Sequence, residues 1–176
     1  MANKIFIWEL LGAFFIIIVG ALFHFMFEWL GSFPPIGGFF PVNESVWEHL
    51  KLPYWPLIIY SLIEFKFIRE KSNNLIFAKT IAILINIGVI LITFYTYTAI
   101  LGTELLIIDI LSFIIGVIIG QFVSAKVMSL EEKPKWISYC SWIVFISIGL
   151  LFIIFTYFPP NLPIFLDSES GIYGII

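Results

Sequence analysis

The chain of 176 residues has one cysteine, two histidines and only nine lysine or arginine residues. A single cysteine, Cys140, forms no intrachain disulfide and cannot build a thiolate zinc site. Charged residues make up 12% of the chain and apolar ones 61%. A water-soluble domain carries about twice that share of charge, so this chain has too little polar surface to coat a soluble core. A soluble globular domain and a disordered chain are therefore excluded. The net charge of −3 offers no basic face, which excludes a nucleic-acid partner. The chain also lacks G-x-S-x-G, H-E-x-x-H, the phosphate-binding P-loop and the dinucleotide glycine fingerprint. No internal repeat is visible.

What the chain does have is long apolar runs. They cover about residues 5–30, 54–68, 77–100, 105–127 and 136–157. In lipid an unpaired backbone group finds no partner, so such runs form helices. The expectation is an all-α polytopic transmembrane bundle of about five spans, a single domain over residues 1–176 with the lipid bilayer as its main partner. The first run is too long for a signal-peptide core and reads as a retained span. Gly31 to Gly38, with Pro34 and Pro35 inside, reads as a loop. A lead-in helix starts at the N-cap Asn43, and Pro53 and Pro56 either kink it or end it near Leu52. Lys71 to Asn74 and Leu130 to Pro134 read as tight turns, and residues 158–176 as a turn-rich tail.

The basic residues orient the bundle. Lys4, Lys66, Arg69, Lys71, Lys79, Lys126, Lys133 and Lys135 fall on one side, and Lys51 alone on the other. The positive-inside rule then puts the N-terminus in the cytoplasm and the C-terminus outside, as five crossings require. Trp29, Trp47, Trp55, Tyr95, Tyr97 and Tyr157 near one boundary, with Trp8, Trp136 and Tyr139 near the other, form an aromatic belt.

On this topology both histidines and most membrane-level acids gather at the external end. Gly20, His24 and Glu28 recur every four residues on the first helix, and Glu44 and Glu48 do so on the second. Asp109 opens a stripe of Ser112, Gly116, Gly120 and Ser124 whose small residues let a neighbouring helix approach. Imidazole and carboxylate without thiolate suit a divalent metal such as zinc. The expected ligands are His24, Glu28, Glu48 and His49, with Glu44 or Asp109 as general base. Each also has a plainer reading. Glu44 and Glu48 fit as capping residues, with Glu48 paired to Lys51. Asp109 fits as a first-turn acid. Glu9 and Glu64, towards the cytoplasmic end, fit as partners of Lys66 or the amino terminus, with a role in a proton path as the other reading, and Gln121 fits as an interhelical hydrogen-bonder.

The run Asn43-Glu44-Ser45-Val46-Trp47-Glu48-His49-Leu50-Lys51 followed by Pro56 resembles a motif of an uncharacterised bacterial family of small multi-spanning membrane proteins. The closing Pro159-Pro160-Asn161-Leu162-Pro163-Ile164-Phe165 and Gly171-Ile172-Tyr173-Gly174-Ile175 resemble that family's ending. The resemblance implies a multi-pass protein of the bacterial cell membrane and carries over no activity. Three function classes stay open: a metal-dependent intramembrane hydrolase, a small cation or proton transporter or channel, and a structural or accessory subunit. Five spans are few for a transporter acting alone, so the second class requires a homo-oligomer, and the lack of an inverted repeat counts against it.

Overall fold

The computed structural model describes residues 2–70 and 72–175, so Lys71 lies outside the described residues. Five long helices and one short one make an all-helical bundle: α1 (Ala2–Trp29), α2 (Val46–His49), α3 (Lys51–Ile68), α4 (Leu75–Leu101), α5 (Leu106–Met128) and α6 (Lys135–Tyr157). Of these, α1, α4, α5 and α6 are long and apolar enough to cross a membrane. The fifth, α3, has 18 residues, about 27 Å at 1.5 Å per residue. Its lower hydropathy has a local cause: Lys51 and Glu64 are both buried within the protein. Large apolar side chains such as Phe14, Leu62, Ile92 and Ile143 are exposed, as a lipid-facing surface requires.

α1 packs on α3 and α5, and α4 packs on α5, α6 and α3. Ile16, Tyr54, Ile83, Phe145 and Phe152 fill the core between them. Two close approaches depend on glycine. At Gly120 an added Cβ would stand 2.7 Å from the Ala82 carbonyl oxygen, so α5 lies directly on the α4 backbone. At Gly20 it would stand 2.8 Å from the carbonyl oxygen of Leu52 on α3. That carbonyl is the one Pro56, four residues on, cannot bond.

The prolines of α3 behave differently from the sequence expectation. Pro53 sits in the first turn, where its missing N–H has no intrahelical partner anyway, and Pro56 is carried inside the helix. The break falls earlier, at Leu50, between α2 and α3. The N-cap of α2 is Ser45, not Asn43: its Oγ accepts from the Glu48 N–H at 3.4 Å. Asn43 instead accepts from the Ser45 N–H with its own Oδ1 at 3.0 Å, a turn that leads the chain into the cap.

The tail after α6 folds back on this segment. Asp167 Oδ1 accepts from the Glu44 N–H at 3.0 Å, and Asn43 Nδ2 donates to the Gly174 carbonyl at 2.8 Å. Trp47 stacks among Phe152, Phe155 and Phe165. One end of the bundle, called the tail end below, therefore holds the 30–50 loop, α2, the α4–α5 turn and the tail. The opposite, N-terminal end holds the start of α1 and the turns after α3 and α5.

Candidate metal centre

His24 comes from the last third of α1. It lies one turn beyond Gly20, on the face that meets the start of α3, and so looks at the α2–α3 elbow. His49 is the last residue of α2 and faces it: the two Nε2 atoms are 3.1 Å apart. Glu44 precedes the Ser45 cap, where the backbone is extended, so its side chain turns back over the elbow instead of following the helix. Its Oε2 is 3.4 Å from His24 Nε2 and 3.3 Å from His49 Nε2. Two nitrogens and one oxygen thus form a triangle with edges of 3.1–3.4 Å. Ligands about 2.0–2.1 Å from a tetrahedral zinc ion stand about 3.3 Å from one another.

The second nitrogen of His49 matters equally. Nδ1 lies 2.9 Å from the Ser45 carbonyl oxygen, which can only accept, so Nδ1 carries the proton. Neutral His49 then presents the lone pair of Nε2 to the triangle, the tautomer and orientation that metal-ligating histidines are given by a backbone carbonyl. The two Nε2 atoms and the carboxylate oxygen, all acceptors when unprotonated, repel at this range unless a proton or a metal ion sits among them.

Electrostatics run the same way. When the rings carry a proton at Nε2, hydrogen bonds from His24 and His49 hold the Glu44 carboxyl far below the usual carboxylate range. Burial pushes the His49 imidazolium down, but the hydrogen bond and charge of Glu44, helped by the Ser45 carbonyl and Asp109, leave it above its usual value. Among the described residues no lysine or arginine pairs with Glu44. The lysine nearest in sequence, Lys51, is wholly engaged elsewhere.

That engagement accounts for Glu48. It stands next to His49 but points a quarter-turn away, towards α6. Its Oε2 accepts from Lys51 Nζ at 2.5 Å and from the Val42 N–H at 3.0 Å, and its Oε1 accepts from Thr156 at 2.9 Å. Lys51 also donates to the Gly37 carbonyl at 2.7 Å. This buried pair locks the 30–42 loop to α3 and α6, and Glu48 has no free oxygen to offer the triangle. Glu28 is exposed and stands apart from it too. A four-residue step advances 400°, so each step from Gly20 rotates about 40°, and by Glu28 the face has turned about 80° away. Asp109 accepts from Tyr97 Oη through both oxygens, at 2.9 and 3.0 Å, near enough to His49 for its charge to act there. Of the six residues singled out in the sequence, the structure therefore gathers His24, Glu44 and His49. It sets Asp109 beside them and turns Glu28 and Glu48 elsewhere.

A groove of about 340 Å³ opens beside Glu44, lined among others by Phe94, Thr98, Glu104, Leu166 and Ser168. Tail and α4–α5 turn form its walls, neither of which sequence spacing connects to Glu44. The sequence signal that was available is Asp167, a carboxylate in a tail turn, which proves to hold the Glu44 backbone.

A second polar group lies at the N-terminal end. Lys79 Nζ is 2.6 Å from Glu9 Oε1 and 2.6 Å from Glu64 Oε2. The partners expected for these acids, Lys66 and the amino terminus, are replaced by a lysine from inside α4. Lys79 is 1% exposed: it turns inward to the two acids, not out to the boundary. It and Lys51 thus leave the count of flanking charges.

No curated protein and no solved structure matches the chain. A family model matches residues 1–175, almost the whole chain and all of both polar groups. The chain belongs to that family, a family of unknown function (DUF6512).

Proposed function

We propose that the protein is a multi-pass membrane protein of the bacterial cell membrane that binds a divalent metal ion through His24, His49 and Glu44. The observation that carries this reading is the 3.1–3.4 Å triangle of Nε2, Nε2 and Oε2, with His49 Nδ1 on the Ser45 carbonyl. Three protein ligands leave a tetrahedral ion one open position, as catalytic zinc sites do and structural ones do not. Water there would lose a proton near neutral pH and become a nucleophile, which makes metal-dependent hydrolysis the chemistry this centre suits. The groove beside Glu44 gives a substrate access. Glu44 serves as a ligand in this reading, and Asp109, held by Tyr97, is the carboxylate left to act as base.

The test is the metal content of detergent-purified protein. Wild type should carry about one zinc, manganese or iron per chain, and His24→Ala and His49→Ala should carry none while staying folded. Wild type without stoichiometric metal, and with no rise in melting temperature on adding divalent ions, overturns the reading.

We also propose five crossings, with the N-terminus inside. After Lys51 and Lys79 are set aside, every remaining basic residue among the described residues belongs to the N-terminal end. A C-terminal alkaline phosphatase fusion should be active and a C-terminal fluorescent fusion dark; the opposite pair of results contradicts the orientation.

A further inference from the structure

We propose that Glu9, Glu64 and Lys79 form a membrane-buried proton-binding site, in which the two carboxylates share one exchangeable proton beside the lysine. The inference is independent of the metal centre, which lies at the other end of the bundle.

The argument is one of charge and partners. Glu9, Glu64 and Lys79 are each no more than 1% exposed. With all three ionised the group carries a net negative charge in a low-dielectric surround, which costs several kcal/mol if left uncompensated. Among the described residues these groups surround it. From α1 comes Glu9, from α3 Glu64 and Tyr60, from α4 Lys79, and from α5 Ser124 and Gln121. Lys79 is the only cation among them. It already occupies the point between the carboxylates where a metal ion would sit, 2.6 Å from each. Tyr60 is spent on the Trp8 carbonyl at 2.5 Å. Ser124 donates to Glu9 Oε1 at 3.0 Å, the oxygen Lys79 already serves. Glu9 Oε2 and Glu64 Oε1 accept no hydrogen bond, and Glu64 Oε2 meets Lys79 as an ion pair without hydrogen-bond geometry. What balances the charge, and gives a vacant oxygen a donor, is a single proton, carried as a carboxylic acid.

A separate observation points along the same line. The Gln121 side chain is 3% exposed, and neither its Nε2 nor its Oε1 has a partner. It lies one turn from Ser124 on α5 and rests on Gly12 with Tyr60, one turn from Glu9 on α1. Gln121 and Asn86, whose Oδ1 is also without a partner, line one small void of about 10 Å³. Its other walls are mostly apolar, Ile16, Leu57, Ile83 and Val117 among them, and its size is at the lower limit for one water held by the two amides. An amide that can both donate and accept, next to a hydratable void, is what a proton needs to reach or leave the pair from the bundle interior.

The test uses the full-length protein in detergent or nanodiscs and infrared difference spectroscopy across a pH change. At neutral pH, wild type should show the C=O stretch of one protonated carboxylic acid, shifting in D2O. Glu9→Gln and Glu64→Gln should each lose that band, since the remaining carboxylate then pairs one-to-one with Lys79. Asp109→Asn should keep it, and this arm stands even if a Gln variant fails to fold. The proposal is overturned if wild type shows no such band at neutral pH, if the band survives both Gln substitutions, or if Asp109→Asn removes it. Suppression of the band when sodium replaces a bulky organic cation also overturns it, because the site then takes a metal ion.

Discussion

The two ends of the bundle handle buried charge in opposite ways. At the N-terminal end, Glu9, Glu64 and Lys79 come from the interiors of three long helices and are sealed from solvent. Part of the counter-charge is built in: Lys79 serves both acids. At the tail end, His24, Glu44 and His49 come from one long helix, one extended segment and one four-residue helix, and each is more than a quarter exposed. There the nearest lysine is given to Glu48, so the positive charge must come from outside, as a proton or an ion. A group that carries its own cation is suited to holding helices and a proton. A group that lacks one is suited to a ligand.

The strongest way to break this contrast is to remove the built-in cation. Lys79→Met leaves two carboxylates facing each other in the core and should cost about 3–5 kcal/mol, read as a lower melting temperature in detergent. Adding Glu9→Gln and Glu64→Gln to the same variant should recover most of the loss, since what hurts is the unpaired charge. Metal binding at the tail end should return with the fold.

Helix packing separates the two ends next. Gly120→Leu drives a side chain into the Ala82 carbonyl and should cost about 1–3 kcal/mol. Gly116→Leu meets Asn86, whose side-chain Cγ and backbone Cα would stand 3.2 and 3.3 Å from an added Cβ, and should cost less because the approach is looser than at Gly120. Unchanged thermal stability in the double variant would show that α4 and α5 do not meet along this stripe.

At the tail end the corresponding perturbation acts on position, not on charge. Asp167→Ala removes the acceptor of the Glu44 N–H and should weaken zinc binding about tenfold with little loss of stability. Glu28→Gln, on an exposed residue outside the triangle, should leave zinc affinity unchanged in the same titration.

The smallest effect is the pH dependence of the metal-free protein. Glu44 is depressed on folding, so its contribution is present above its ordinary value of 4.5 and is lost as pH falls through the folded one. His49 is raised, so its contribution is complete below its ordinary value of 6.5 and is lost as pH rises through the folded one. Melting temperature in chelator should peak between those two values, by under about 1 kcal/mol given the exposure of the groups. Zinc affinity should run the other way and rise with pH across neutrality, because the ion displaces the His49 proton.

Much of this architecture was legible in the sequence. Apolar runs and polar turns locate the five long helices to within a few residues, because lipid leaves the backbone no alternative to helix. His24 and His49 could be grouped because one closes the first run and the other precedes the second, which puts both at one end of the bundle. Glu44 and Glu48 could not be told apart, since that rests on where α2 begins. With Asn43 as cap, the two acids share a face; with Ser45 as cap, one turns to the histidines and the other to Lys51. The role of Lys79 was hidden for a related reason. Five residues into a helix, a lysine can snorkel to the boundary or turn inward, and only the acids opposite decide which.

The central claim is that the tail-end triangle is a metal centre and not a proton-sharing pair of imidazoles. Zinc K-edge absorption spectroscopy on the loaded protein tests it most directly. The account predicts a first shell of nitrogen and oxygen at about 2.0–2.1 Å, with the outer-shell scattering of two imidazoles and no sulfur, and no zinc retained by His49→Ala. A shell of oxygen alone, or a spectrum unchanged by His49→Ala, would contradict it.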